Sequence, residues 1–103
     1  MYITGDSRVK EVVENISYTI QYGTLKRGGD TKVFITIHDV QHLSTTKTCG
    51  CTLPEVTNNN GNVEIMIGYD NKKIGVINQR VIEKVLDNGV EKNIVFNLTG
   101  KIE

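Results

Sequence analysis

The sequence predicts an all-β fold, an immunoglobulin-like antiparallel β-sandwich of about seven strands in a single domain. Three observations predict it. Apolar residues recur at every second position in run after run, the period of a strand with one face in a core. Turn signals built from Gly, Asn and Asp separate these runs at intervals of roughly 8 to 12 residues. A length of 103 residues suits one two-layer domain with a modest core.

Residues 1–15 read as an N-terminal arm or short helix, and 16–103 as the sandwich. Met1 to Arg8 is polar enough to order only against a neighbour. Val9, Val12, Val13 and Ile16 follow the i, i+3, i+4, i+7 spacing of a helix face, although valine-rich runs also suit strands. Ile16, Tyr18, Ile20 and Tyr22 then share one face of a half-buried strand, and Lys26-Arg27-Gly28-Gly29-Asp30 is a turn. Val33, Ile35 and Ile37 alternate in a second strand, where Phe34 adds an apolar residue to the other face, as suits a central position.

After Asp39 to Leu43 the chain reaches both cysteines and the only proline, in Thr48-Cys49-Gly50-Cys51-Thr52-Leu53-Pro54. Pro54 limits or ends that strand because it cannot donate to a ladder. Glu55 to Asn62 reads as a polar loop. Val63, Ile65 and Ile67 form the inward face of the next strand, and Asp70 to Lys73 is a turn with a bend at Gly75. A long hairpin closes the chain: Val76 to Leu86, a turn at Asp87-Asn88-Gly89, and Val90 to Ile102. Asn88-Gly89 accepts the positive φ angles of a type I′ turn.

The cysteine motif carries the most information about function. Residues two apart in an extended strand point to one face, so both sulfurs can meet one metal ion or lie side by side in a core. A disulfide between them would close a very small and strained ring, outside the usual Cα separation for bridges, and the pair reads as reduced. His38, His42, Cys49 and Cys51 together supply the inventory of a tetrahedral Zn²⁺ or Cu(I) site. Their spacing argues against it. Structural zinc sites favour two to four residues between cysteines, and His38-x3-His42 shares one side only in a helix, whereas this segment reads as strand and turn. The reading is therefore no metal and no cofactor, with Cys49, Cys51, His38 and His42 as the candidates if one binds.

A cysteine enzyme built from Cys49 or Cys51 with His38 or His42 and Asp39 has the residue types. It lacks a strained nucleophile turn and a glycine-rich oxyanion loop, so the chain reads as non-catalytic.

Tyr22-Gly23-Thr24-Leu25, the run Val33 to Ile37, Thr48 to Pro54, Asn60 to Asp70, Lys73-Ile74-Gly75 and Leu98 to Ile102 follow one another in a recognisable order. This succession resembles the DUF1573 family of immunoglobulin-like domains, relatives of the ASH and major-sperm-protein sandwiches. The resemblance runs from about Ile16 to the C-terminus, and its Cys-Gly-Cys-Thr element is the specific part. It implies a binding domain without an active site. Members are commonly exported with a leader. The start Met1-Tyr2-Ile3-Thr4-Gly5-Asp6-Ser7-Arg8 has neither the basic start nor the apolar run of a secretory signal, which predicts retention in the cell that makes the protein.

Twelve basic and twelve acidic residues give a formal net charge of zero, so no global field draws the chain to nucleic acid or to an anionic membrane. The pairs Lys26-Arg27 and Lys72-Lys73 read as solvated turn residues. The six aromatics are scattered singly and offer no base-stacking platform.

The functional expectation is an auxiliary or decoration subunit of a bacteriophage particle, in capsid or tail, assembled in the host cytoplasm. Its expected partners are other virion proteins, such as the major capsid protein, and copies of itself, with no direct nucleic-acid or membrane contact. Met1 to Arg8, the Lys26 to Asp30 turn and the Glu55 to Asn62 loop are the expected contact elements. The alternative is a periplasmic or envelope protein of the same family, binding copper or zinc through Cys49 and Cys51.

Overall fold

Inward-facing β-branched residues dictate the architecture. Val33, Ile35 and Ile37 on one sheet face Tyr18, Ile20, Ile94, Phe96 and Leu98 on the other, within a core of 17 buried hydrophobic residues. In the computed structural model, which describes Met1–Glu103, nine strands form two sheets. They are β1 (Tyr2–Gly5), β2 (Val9–Val13), β3 (Ser17–Leu25), β4 (Val33–His38), β5 (Gln41–Lys47), β6 (Thr52–Asn59), β7 (Asn62–Tyr69), β8 (Gly75–Asp87) and β9 (Val90–Ile102). The first sheet has the order β1-β4-β7-β6 and the second β2-β3-β9-β8-β5. All pairings are antiparallel except β3 with β9, which is parallel. The immunoglobulin-like sandwich expected from the alternation is the fold observed.

The N-terminal segment is neither arm nor helix. β1 pairs with β4 on one sheet, and β2 pairs with β3 at the edge of the other, which raises the strand count from about seven to nine. A helix over 9–16 had no face to bury: Val12, Val13 and Ile16 are 62%, 50% and 52% exposed, and only Val9 packs on the core. Ile16 accordingly leaves the inward row that Tyr18, Ile20 and Tyr22 occupy. Between β1 and β2, Arg8 bonds to Asp6 and donates to the carbonyls of Asp30 and Lys32. This straps the crossover from one sheet to the other onto the β3–β4 loop. The guanidinium lies 5.9 Å from the ring centroid of Tyr22, whose hydroxyl donates to the Thr31 carbonyl at 2.8 Å.

Glu55 to Asn62 is strand and hairpin rather than loop. Asn60 and Gly61 (φ 50° and 83°) form a two-residue turn between paired Asn59 and Asn62, the same geometry that Asn88 and Gly89 (φ 50° and 80°) give the β8–β9 hairpin. Pro54 does not end the strand. Counting from the hydrogen-bonded pair that closes such a hairpin, Pro54 falls in a non-hydrogen-bonded pair with Ile67, so its missing N–H belongs to the free edge of the sheet. There it blunts β6 against further pairing. Along β3 and β9 the register shifts between Gln21 and Thr24, where Gly100 (φ 151°) lies against Gly23. A Cβ at position 100 would sit 2.7 Å from the Gly23 carbonyl oxygen.

Candidate functional site

The chain crosses from β5 to β6 through Thr48–Cys51, a turn tied on every side. Thr48 N–H donates to the Arg80 carbonyl (3.1 Å), and Thr52, wholly buried, closes the turn with both its N–H (3.2 Å) and its hydroxyl (2.8 Å) on the Cys49 carbonyl. Asp70 N–H reaches the Cys51 carbonyl at 2.8 Å, and Lys47 Nζ reaches that of Thr52 at 3.0 Å.

Cys49 and Cys51 form a disulfide with a Cα separation of 5.2 Å. This corrects the reduced pair expected above. That expectation placed both residues in an extended strand, where a rise of about 3.3 Å per residue sets the Cα atoms about 6.6 Å apart, near the upper limit for a bridge. The turn contracts that distance into the ordinary range. Both sulfurs are consumed in the bond, so in this state neither cysteine offers a thiolate to a metal or to a substrate.

The two histidines do not join them. His38 ends β4 in the first sheet, its ring stacked on Tyr2 with centroids 4.1 Å apart and planes 6° from parallel, and its Nε2 is 2.9 Å from the Thr4 hydroxyl. Asp39, at φ 60°, then turns the chain into the second sheet, where His42 lies on β5. A strand, a sharp turn and a second strand replace the helix that would have put the two rings together. No group of three or more His, Cys, Asp and Glu side chains is placed to hold a metal ion.

Sequence reasoning passed over Glu83. It occupies an inward position of β8 between Val81 and Val85 and is completely buried. Across the β5–β8 pair, the Thr45 hydroxyl donates to one of its oxygens, and the Nδ1 of His42 is hydrogen-bonded to the other. Burial pushes the Glu83 carboxyl above the ordinary glutamate range, and the bonds from Thr45 and His42 pull the other way. The signal was present in the alternation, since Val81, Glu83 and Val85 put a carboxylate in an apolar row. The cluster ties an edge strand to its neighbour and holds no nucleophile aimed at solvent.

The outward face of the first sheet carries a small apolar patch among polar residues that include Thr36, Glu55, Thr57 and Glu64. Phe34 is 64% exposed and lies across from Met66, with Leu53 (52% exposed) on the adjoining edge strand and Tyr2 (54% exposed) capping His38. The outward face of the second sheet carries Thr19, Gln21, Asn78, Arg80, Asn97 and Thr99 together with the apolar Val76, Ile82 and Val95. Both faces mix apolar and polar residues, and the first is set apart by its exposed aromatic side chains, Phe34 and Tyr2.

Fold and surface together define the class: a single-domain all-β sandwich of immunoglobulin-like type. Comparisons with protein-family models, with curated proteins and with solved structures find no match to the chain.

Proposed function

We propose that this protein is a non-catalytic structural module that binds other proteins, serving as an auxiliary or decoration subunit of a bacteriophage particle. The observation that supports a binding role is the patch formed by exposed Phe34 and Leu53 with half-buried Met66 on the first sheet. Aromatic and methionine side chains of this kind contribute most where an interface is fully desolvated, and a strand scaffold presents them without ordering loops first. The virion assignment rests on the resemblance to immunoglobulin-like domains together with the small, self-contained fold. The partner is then a shell or tail protein, and modest contacts gain strength from many copies.

The copper- or zinc-binding alternative requires two free thiolates and so applies only to a reduced protein.

Sedimenting a lysate of the native source and locating the chain by mass spectrometry tests the proposal. Recovery with DNA-filled particles at fixed stoichiometry is expected, and recovery only in the soluble or envelope fraction overturns it. Phe34→Ser and Leu53→Ser should lower occupancy on the particle while leaving thermal stability near that of the parent, because both side chains are already exposed.

A further inference from the structure

The formal charge of zero conceals two poles. The topology gathers the β3–β4 loop, the Thr48–Cys51 turn, the β7–β8 turn and the C-terminus at one end of the sandwich. The turns at Asn15, Asp39, Asn60 and Asn88 lie at the other end. At the first end Lys26, Arg27, Lys32, Lys47, Lys72 and Lys73 are exposed and take part in none of the ion pairs. Of the carboxylates there, Asp6 and Asp30 face Arg8 and Glu103 faces Lys101, which leaves Asp70, bonded only to the Lys72 N–H, against six unpaired cations. At the opposite end Glu14, Asp39, Glu64 and Glu91 are exposed and likewise unpaired, while Lys92 is held by Asp87 at 2.7 Å.

The basic pole is a fixed platform rather than a set of free turns. Gly28 N–H donates to the Asn71 carbonyl at 2.9 Å, the Asn71 side chain returns a bond to the Gly29 carbonyl at 2.7 Å, and Arg27 N–H donates to the Glu103 carbonyl at 2.9 Å. Those bonds hold Lys26, Arg27, Lys72 and Lys73 side by side. The molecule is 43 Å long, several times the Debye length of about 8 Å at physiological ionic strength, so each pole acts on its surroundings without cancellation by the other.

We infer that the basic end of one copy docks on the acidic end of a second copy, head to tail. Both complementary surfaces are present on a single chain, which favours a second copy over an unrelated polyanion. Like ends repel, so the pairing is directional. Each dimer keeps one free pole of each sign, and association therefore continues into a row or closes into a ring. Long-range attraction between such poles speeds encounter and weakens steeply with salt.

Sedimentation velocity of the intact chain at about 20 mM and about 500 mM salt, where the Debye length shrinks severalfold, tests this. Two variants accompany it: Lys72→Glu/Lys73→Glu reverses part of the basic pole, and Glu14→Lys/Glu91→Lys part of the acidic one. The parent should show a sedimentation coefficient that rises with concentration at low salt only. Each variant alone should remain monomeric, and an equimolar mixture should associate again, because a positive end of one then meets a negative end of the other. All four residues are exposed, and circular dichroism checks that each variant is folded. A parent that stays monomeric at low salt, variants that associate like the parent, or a mixture that fails to recover would each overturn the inference. So would retention on a heparin column by a protein that stays monomeric at low salt.

Discussion

His42 and Glu83 meet across the β5–β8 pair, where the Nδ1 of the imidazole is hydrogen-bonded to a carboxylate with no solvent exposure. Burial raises the Glu83 carboxyl above its ordinary value, with the Thr45 and His42 bonds offsetting part of the shift. The unfolded chain loses this proton near the ordinary glutamate value of about 4.3, and the folded chain loses it at higher pH. Between those two values the folded state binds the extra proton, so stability falls as pH rises through that window and levels off above it. Glu83→Gln removes this titration. Urea denaturation from pH 4 to pH 8 should show the parent losing stability relative to the variant as pH rises through the window. A constant difference across the range would mean that Glu83 does not titrate differently on folding.

Tyr22 is buried and spends its hydroxyl on the Thr31 carbonyl. Tyr22→Phe keeps the ring under Arg8 but leaves that carbonyl without its partner. A loss of about 1–2 kcal/mol is expected, read as a lower denaturant midpoint at unchanged slope.

Gly100 and Gly50 give opposite answers to one substitution. At Gly100 a Cβ would meet Gly23 backbone at 2.7 Å and Tyr22 Cβ at 2.9 Å, with φ at 151°, whereas at Gly50 nothing lies within 4 Å. Gly100→Ala should lower stability by about 2–3 kcal/mol. Gly50→Ala should stay within about 0.5 kcal/mol of the parent. Thermal melts of the two variants side by side make the comparison.

The Cys49–Cys51 bond predicts a chain two hydrogens lighter than the reduced form by intact mass. Alkylation should add nothing before reduction and two groups after it. Replacing both cysteines by alanine should lower stability by about 1.5 kcal/mol, the chain-entropy value for so short a loop. Two labels without prior reduction would return the pair to the thiol state.

Much of the fold was legible because the side-chain period of a strand is local. Val33-Ile35-Ile37 and Val63-Ile65-Ile67 announced two inward faces, and Asn88-Gly89 announced its hairpin, from spacing alone. Asn60-Gly61 carried the same signal. It reads as part of a polar loop because three asparagines run together there, and pairing with β7 overrides their poor strand propensity. Val9, Val12, Val13 and Ile16 fit a helix face while valine-rich runs also suit strands, and only pairing with the open edge of β3 decided between them.

Composition and alternation by themselves determined an all-β domain, most of its core and a neutral net charge. The tertiary structure decided everything that depends on which ends and edges meet. It contracted the Cys-Gly-Cys turn to bridging distance, parted His38 from His42 by sending them to different sheets, and set Glu83 against His42 across 41 positions of sequence. It also sorted the charges onto two poles. The division has one physical reason: inward and outward facing is a property of neighbouring residues, whereas contact between strands and the clustering of loops are properties of topology, which no local pattern contains.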